Sequence, residues 1–326
     1  MLFRSITLSG IGTGSFVGAT GTTTVDGTTG GITLNGGTYN SDGAMTFSGA
    51  VTLGADTTVT SSADAVEFSS TVNSDGTARS LTITNTTATT TMGGVIGGTA
   101  SLSALTLNGT GLVTLTSIGD GDTDGVTGAT AIAGDTGGIT LNGGTYKTAG
   151  TQDYTGAVSL GADTTFTTSD DAVTFNSTIA GLTSTRTLTI AAGSGALTFD
   201  GAVGTNIGAI DITCGTAAVN ASVTTVAGAN VEITNSDTLT IAAAGDFNIG
   251  GTFTQNGAGA VSTAGDITTS SDNISFATGV TLTGNVALSS GGSGGDITFS
   301  STLTGAFNLT LTAGTGSITL TGAITS

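Results

Sequence analysis

Residues Ile6 to Ile83 return as Val113 to Ile190, 107 positions later and with no insertion or deletion. The run Gly30-Gly31-Ile32-Thr33-Leu34-Asn35-Gly36-Gly37-Thr38-Tyr39 recurs letter for letter at Gly137 to Tyr146. A stretch that recurs at a fixed period builds an array of like units, and its function must be sought in that array. The apolar residues show what the units are. Triplets such as Ile32-Thr33-Leu34, Val51-Thr52-Leu53, Val66-Glu67-Phe68, Leu188-Thr189-Ile190 and Ile297-Thr298-Phe299 place a small or polar residue between two large apolar ones. That alternation has the period of a strand with one buried face, and no stripe of helical period interrupts it.

Turns built on Gly, Asn and Asp separate the triplets, as at Asn35-Gly36-Gly37 and Gly54-Ala55-Asp56. Successive triplets often start only six to nine residues apart, as at Val223, Val231, Leu239 and Phe247. This is too close for ordinary hairpins throughout and suits a chain that turns a corner after each short strand. The chain holds 56 Gly and no Pro. In a coil whose strands all donate N–H groups to the next turn, Pro would remove a bond wherever it fell. Disorder is excluded by composition, because 37% of residues are hydrophobic and only 8% charged.

The expected fold is all-β, a parallel β-solenoid of roughly 15 coils with roughly 20 residues in each and a rise of ~4.8 Å per coil. One repeat solenoid is expected over 1–326, with modules at about 6–112, 113–219 and a divergent 220–326. A second likeness ties the last module to the rest, since Leu188 to Val203 matches Leu309 to Ile324 in pattern.

Phrases such as Leu309-Thr310-Leu311-Thr312-Ala313-Gly314-Thr315-Gly316 and Gly156-Ala157-Val158-Ser159-Leu160-Gly161-Ala162-Asp163-Thr164-Thr165 resemble the β-strand repeats of very large bacterial exoproteins, of the filamentous-haemagglutinin and autotransporter-adhesin type. The resemblance covers nearly the whole chain, through Gly- and Thr-rich motifs that mark a repeat class rather than an activity. It implies a right-handed parallel β-helix, exported and displayed at the cell surface or released as a filamentous adhesin or stalk. A host-cell, surface or matrix ligand would be the partner. The ends depart from that pattern: Met1-Leu2-Phe3-Arg4 runs into the repeat with no apolar signal segment, and neither a secretion domain nor a membrane barrel follows. The chain therefore reads as an internal fragment, and the uncapped ends Ser5-Ile6 and Ile324-Thr325-Ser326 point to end-to-end self-association.

Charge and composition narrow the function further. Only Arg4, Arg79, Lys147 and Arg186 are basic, against 22 acids, for a net charge of −18. Nucleic acid needs a basic surface and is not an expected partner. No apolar run approaches the ~18 residues of a membrane span. Without His there is no imidazole base, and the carboxylates form no obvious catalytic group, so an enzyme is not expected and no organic cofactor is implied. Arg79 and Arg186 are equivalent across the repeat, which duplication alone explains. Cys214 occupies the last inward position after Ile210-Asp211-Ile212 and reads as a small buried hydrophobe.

The acidic cluster Asp120-Gly121-Asp122-Thr123-Asp124-Gly125 resembles the start of a calcium loop, with carboxylates at every second position and Gly at the sharp turn. Asp120, Asp122 and Asp124 are the candidate metal residues and calcium the candidate ion, which makes a calcium-dependent exoprotein repeat an alternative function. Ala131 stands where the twelfth-position acid belongs, and the first module offers Thr13-Gly14-Ser15-Phe16-Val17-Gly18 instead. Gly291-Gly292-Ser293-Gly294-Gly295-Asp296 resembles a Gly/Asp β-roll motif but occurs once and reads as a corner. Outward Thr pairs, among them Thr82/Thr84, Thr114/Thr116, Thr187/Thr189, Thr238/Thr240, Thr310/Thr312 and Thr319/Thr321, raise binding to ice or another lattice, although their uneven spacing argues against one flat array. The irregular stretches Thr86 to Ala104 and Asp120 to Asp135 are where a binding insertion would break the coil.

Overall fold

The computed structural model describes residues 6–12, 19–62 and 64–325. The chain forms two compact units, Met1–Ala162 and Asp163–Ser326. Among the described residues each is all-β, built from short parallel strands wound as a β-solenoid, and the two together make about 14 turns. The triplets are the strands. In Ile32–Leu34, Val51–Leu53 and Val66–Phe68 the outer residues are buried and the middle one faces out. Each large side chain withdrawn from water contributes roughly 1.5–3 kcal/mol before chain entropy is subtracted.

In the first unit the strands fall into three parallel ladders, one for each side of the coil. The first aligns Thr23, Met45, Val66, Thr90, Val113, Ile139 and Val158. A second aligns Ile6, Ile32, Val51, Val72, Ile96, Ile118 and Tyr146. The third aligns Tyr39, Val59, Ile83, Leu107, Ile132 and Tyr154. A turn takes 19 residues between Ile32 and Val51 but 26 between Val113 and Ile139. Corners absorb the difference while the strands keep register.

Residue 86 to residue 104, expected as a break in the coil, instead contains the longest strand of this unit's first two ladders, Thr90–Ile96. It rounds a corner, with a register shift between Met92 and Val95 at Gly93-Gly94. Val113–Ile118 also serves two ladders.

These ladders show what the 107-residue repeat is. Ile6, Ile32 and Val51 lie on the second ladder, yet their counterparts Val113, Ile139 and Val158 lie on the first. Tyr39 is on the third ladder and its counterpart Tyr146 on the second. Ile6 reaches Ile118 in five turns, and Val113 precedes Ile118 by one side. The repeat is therefore five turns less one side, so the part of the second copy that lies in this unit, 113–162, displays the same sequence a third of a turn away from the first. Local geometry survives the rotation. Gly49 and Gly156 both sit at φ near +135°, where a Cβ would strike the carbonyl of Gly27 or of its counterpart Gly134 at 2.5 Å.

The second unit is wound the same way. One ladder aligns Leu188, Ile210, Val231, Phe253, Ile274, Ile297 and Ile318. A second aligns Val173, Leu197, Ala217, Leu239, Val261, Val280, Leu303 and Ile324. The third aligns Val223, Phe247, Ile267, Leu288 and Leu311. Phe253, Phe276 and Phe299 run through this core with ring centroids 5.5 and 5.1 Å apart, close enough to add aromatic contact energy to their burial. The buried amides of Gln255 and Asn235 satisfy one another and nearby backbone. Gln255 Nε2 donates to Asn235 Oδ1 at 2.8 Å, and Gln255 Oε1 accepts from the N–H of Ala277 at 3.1 Å.

Corners leave backbone N–H groups without ladder partners, and a buried or half-buried N–H needs an acceptor. Asp and Asn side chains supply it from the neighbouring coil. Asp56 Oδ1 accepts from Ser80 N at 2.9 Å, and its counterpart Asp163 accepts from Thr187 N at 3.0 Å. In the second unit the caps form chains: Asp246 takes the N–H of Asp266 and Asp266 that of Ala287, while Asn273 takes that of Asp296 and Asp296 that of Ser317.

The N–H of Ser80 holds the Asp56 carboxyl below its ordinary 3.8, and the Thr28, Arg79 and Thr123 donors do the same for Asp26, Asp75 and Asp120. A carboxyl whose folded pKa is depressed stabilises the fold above its unfolded pKa and loses that contribution as pH falls through the folded value. The melting temperature is expected to hold from pH 7 to 5 and to drop below about pH 4, followed by far-UV circular dichroism. A melt unchanged down to pH 2 would show that these caps carry no stability.

Candidate functional site

The turn at residues 119–125 holds the candidate calcium residues Asp120, Asp122 and Asp124, and the Lys147 side chain reaches into it. Gly119 and Gly121 take φ of +70° and +97°, which lets the backbone fold back on itself. Asp120 Oδ1 accepts the N–H groups of Asp122 and Thr123 at 3.2 and 2.9 Å, so this carboxylate closes its own turn. The Lys147 ammonium enters from the next coil. Its Nζ donates to Gly121 O at 2.9 Å and to Asp122 O at 3.4 Å, and lies 3.6 Å from Asp124 Oδ1.

Two carbonyls and a carboxylate thus converge on one cation that the chain itself provides. Asp120, Asp122 and Asp124 do not come together as a three-carboxylate group, and among the described residues no group of three or more acid, His or Cys side chains is arranged to hold a metal. The counterpart of Lys147 in the first copy is Asn40, and the counterpart turn, Thr13 to Gly18, lies outside the described residues. Acids and lysine are thus present together in the second copy, and neither is present in the first.

The second glycine-rich candidate is a corner. Ser290 Oγ donates to Gly295 O, Asp296 accepts from Ser317 N, and Gly291 and Gly294 have positive φ. Cys214 is buried, and burial pushes its thiol up to about 11, which keeps it protonated at neutral pH.

Register also creates neighbours that sequence spacing hides. Asp211 and Glu232 stand in the middle of Ile210-Asp211-Ile212 and Val231-Glu232-Ile233, and the ladder sets them directly beside each other on the exposed face of the second unit. Asn256 Nδ2 donates to Glu232 Oε1 at 3.2 Å. The readable signal was an acid at the centre of two triplets one coil apart.

The outward Thr residues are sorted by the same rule. Thr82/Thr84 gain in-register neighbours from Thr58/Thr60 on one side and Thr106/Asn108 on the other, which gives two parallel files of small polar side chains. Thr114/Thr116 lie on a different ladder from Thr82/Thr84, and Thr310/Thr312 on a different one from Thr319. Array formation depends on register rather than on even spacing in sequence. Comparison with known protein families, with characterised proteins and with solved structures gives no match.

Replacing Lys147 with Met leaves Gly121 O, Asp122 O and the Asp124 carboxylate facing one another without a cation. The variant is expected to melt lower in chelator and to recover on adding calcium, with an affinity on the order of 10⁻³ M by titration calorimetry. Wild type is expected to respond far less, because calcium must displace the ammonium. Equal calcium binding by both proteins would show that Lys147 does not occupy the site.

Proposed function

We propose that the chain is a structural and adhesive repeat region, a stalk or passenger segment of a large secreted or cell-surface bacterial protein of the filamentous-haemagglutinin and autotransporter type. The observation that carries this reading is the use of side chains between coils. Asp56, Asp163, Asp246, Asp266 and Asp296 each hold a backbone N–H of the next turn. Such a chain invests its polar groups in extending the array. Its ligand is a host-cell, surface or matrix component met along the outer faces, and no catalytic step is assigned to it.

A second reading is favoured by the two files built from Thr58/Thr60, Thr82/Thr84 and Thr106/Asn108. In-register polar side chains on a parallel sheet repeat at ~4.8 Å along the coil axis, so binding to ice or another regular lattice is the alternative function. One experiment separates the two. Beads coated with the purified chain are offered cultured cells, matrix proteins and crystal faces. The first reading expects attachment to cells or matrix, the second attachment to one crystal face that Thr82→Lys abolishes. Turnover of a polysaccharide that is lost in Asp211→Asn would overturn both.

Self-association belongs to the first reading. Among the described residues no strand pairs with the outer edges of Leu309–Thr312, Ile318–Leu320 and Ile324–Thr325. Phe307, Ile318 and Ile324 are 49%, 44% and 66% exposed there. Phe307 and Ile324 line a cavity of about 330 Å³ together with Leu282, Leu303, Leu309 and Leu320. Open parallel edges over an apolar end invite a second copy. Sedimentation velocity is expected to show concentration-dependent oligomers that Ile324→Lys reduces, and a monomer at all concentrations would remove this part of the reading.

A further inference from the structure

In the first copy of the repeat Arg79 is gripped by Asp75 in a two-pronged ion pair, with Nε 3.3 Å from Oδ1 and Nη2 3.2 Å from Oδ2. The turn that holds them, Val72 to Arg79, recurs as Ile179 to Arg186. Leu182 stands there where Asp75 would be. The arginine has been kept and its carboxylate lost. Arg186 Nε is buried with no hydrogen-bond partner, and no ion pair to Arg186 occurs among the described residues. Leu182 is 48% exposed. A buried donor on a charged group left without an acceptor is costly to a fold, and an outlay of this kind marks either a ligand site or a defect.

The surroundings fix the backbone from which Arg186 projects. Arg186 N donates to Asn206 O at 2.9 Å, Gly181 N donates to Thr205 O at 2.9 Å, and Asn206 Nδ2 returns to Gly181 O at 3.3 Å. Thr205 and Asn206 hold φ of +48° and +61°, left-handed conformations that favour glycine, so this turn is fixed by its neighbours. Asp163, the counterpart of Asp56, is engaged by the N–H of Thr187.

We propose that Arg186 is a binding site for a carboxylate brought from outside the chain, and that Leu182 moves aside to admit it and packs beside it. The first copy shows what the ligand's contacting group is: an aspartate side chain, which approaches the Nε and Nη2 edge of the guanidinium. The exposed leucine adds an apolar neighbour, which suits an acidic protein segment with an apolar residue next to its carboxylate. A planar guanidinium takes such a carboxylate through two parallel bonds. This site is independent of the stalk reading.

The chain has only three arginines, Arg4, Arg79 and Arg186, so the Nε–Hε region of a nitrogen-15 NMR spectrum holds at most three signals, and Arg186→Lys assigns the one in question. The full chain is titrated with N-acetyl-Asp-Leu-amide at roughly 0.15 M salt, where self-repulsion of the acidic surface is screened. The Arg186 signal is expected to shift saturably while that of Arg79 stays, and Leu182→Asp should abolish the response and raise the melting temperature by restoring the first copy's grip. Asp75→Leu should make Arg79 respond as Arg186 does. Parallel unsaturable shifts of both signals, or no shift of Arg186 at any concentration, would overturn the site. An equal response to glucuronate would overturn its assignment to an acidic protein segment.

Discussion

Each strand of this chain donates its N–H groups to a strand one full turn away, and every other feature of the molecule follows from the length of that step. Ile32 pairs with Val51 and Val51 with Val72, so no single turn satisfies its own backbone or closes its own apolar side. Parallel ladders bury both their hydrogen bonds and the inner side-chain rows, and a turn becomes stable only when it lies between two others. Proline is absent because almost any position would break such a bond. Glycine is abundant because coils stack at their corners too closely for a Cβ, as Gly49 and Gly156 show against Gly27 and Gly134.

Charge is organised by the same step. The 22 acids against four bases suggest a surface selected for repulsion, yet many of the carboxylates act as short-range acceptors for the next coil's corner. In the second copy of the repeat the acidic turn at 119–125 receives Lys147, an internal cation that reaches across from the following coil. Acids that look spare in the sequence are structural joints in the fold.

What the sequence made legible was whatever lies within one side of a coil. The triplets Ile32-Thr33-Leu34 and Val66-Glu67-Phe68 announce their strands and their inward faces, and Cys214 announces its burial, because alternation and turn chemistry act over a few residues. Contacts between coils were harder to read, since turns run from 19 to 28 residues and the corners that absorb the difference carry no periodic signal. Hence Asp211 and Glu232, each central in its triplet, become neighbours only once the register is known, Lys147 meets Gly121 and Asp124, and Thr82 joins Thr58 rather than Thr114. The stretch 86–104 looked like an interruption because Gly93-Gly94 breaks its alternation, and those glycines are what let one strand round a corner.

The repeat's length of five turns less one side has a consequence for how such a gene can grow. Copying a stretch that held whole turns would reproduce every surface group directly above its original, and like charges would stack in columns along one azimuth. Here the repeat stops one tread short of whole turns on a spiral stair, and the copied strands still land in register on the neighbouring side. A copied length that is not a whole number of turns ends a multiple of ~1.6 Å along the axis, a third of the coil rise, and each feature copied within the first unit turns to face a new direction.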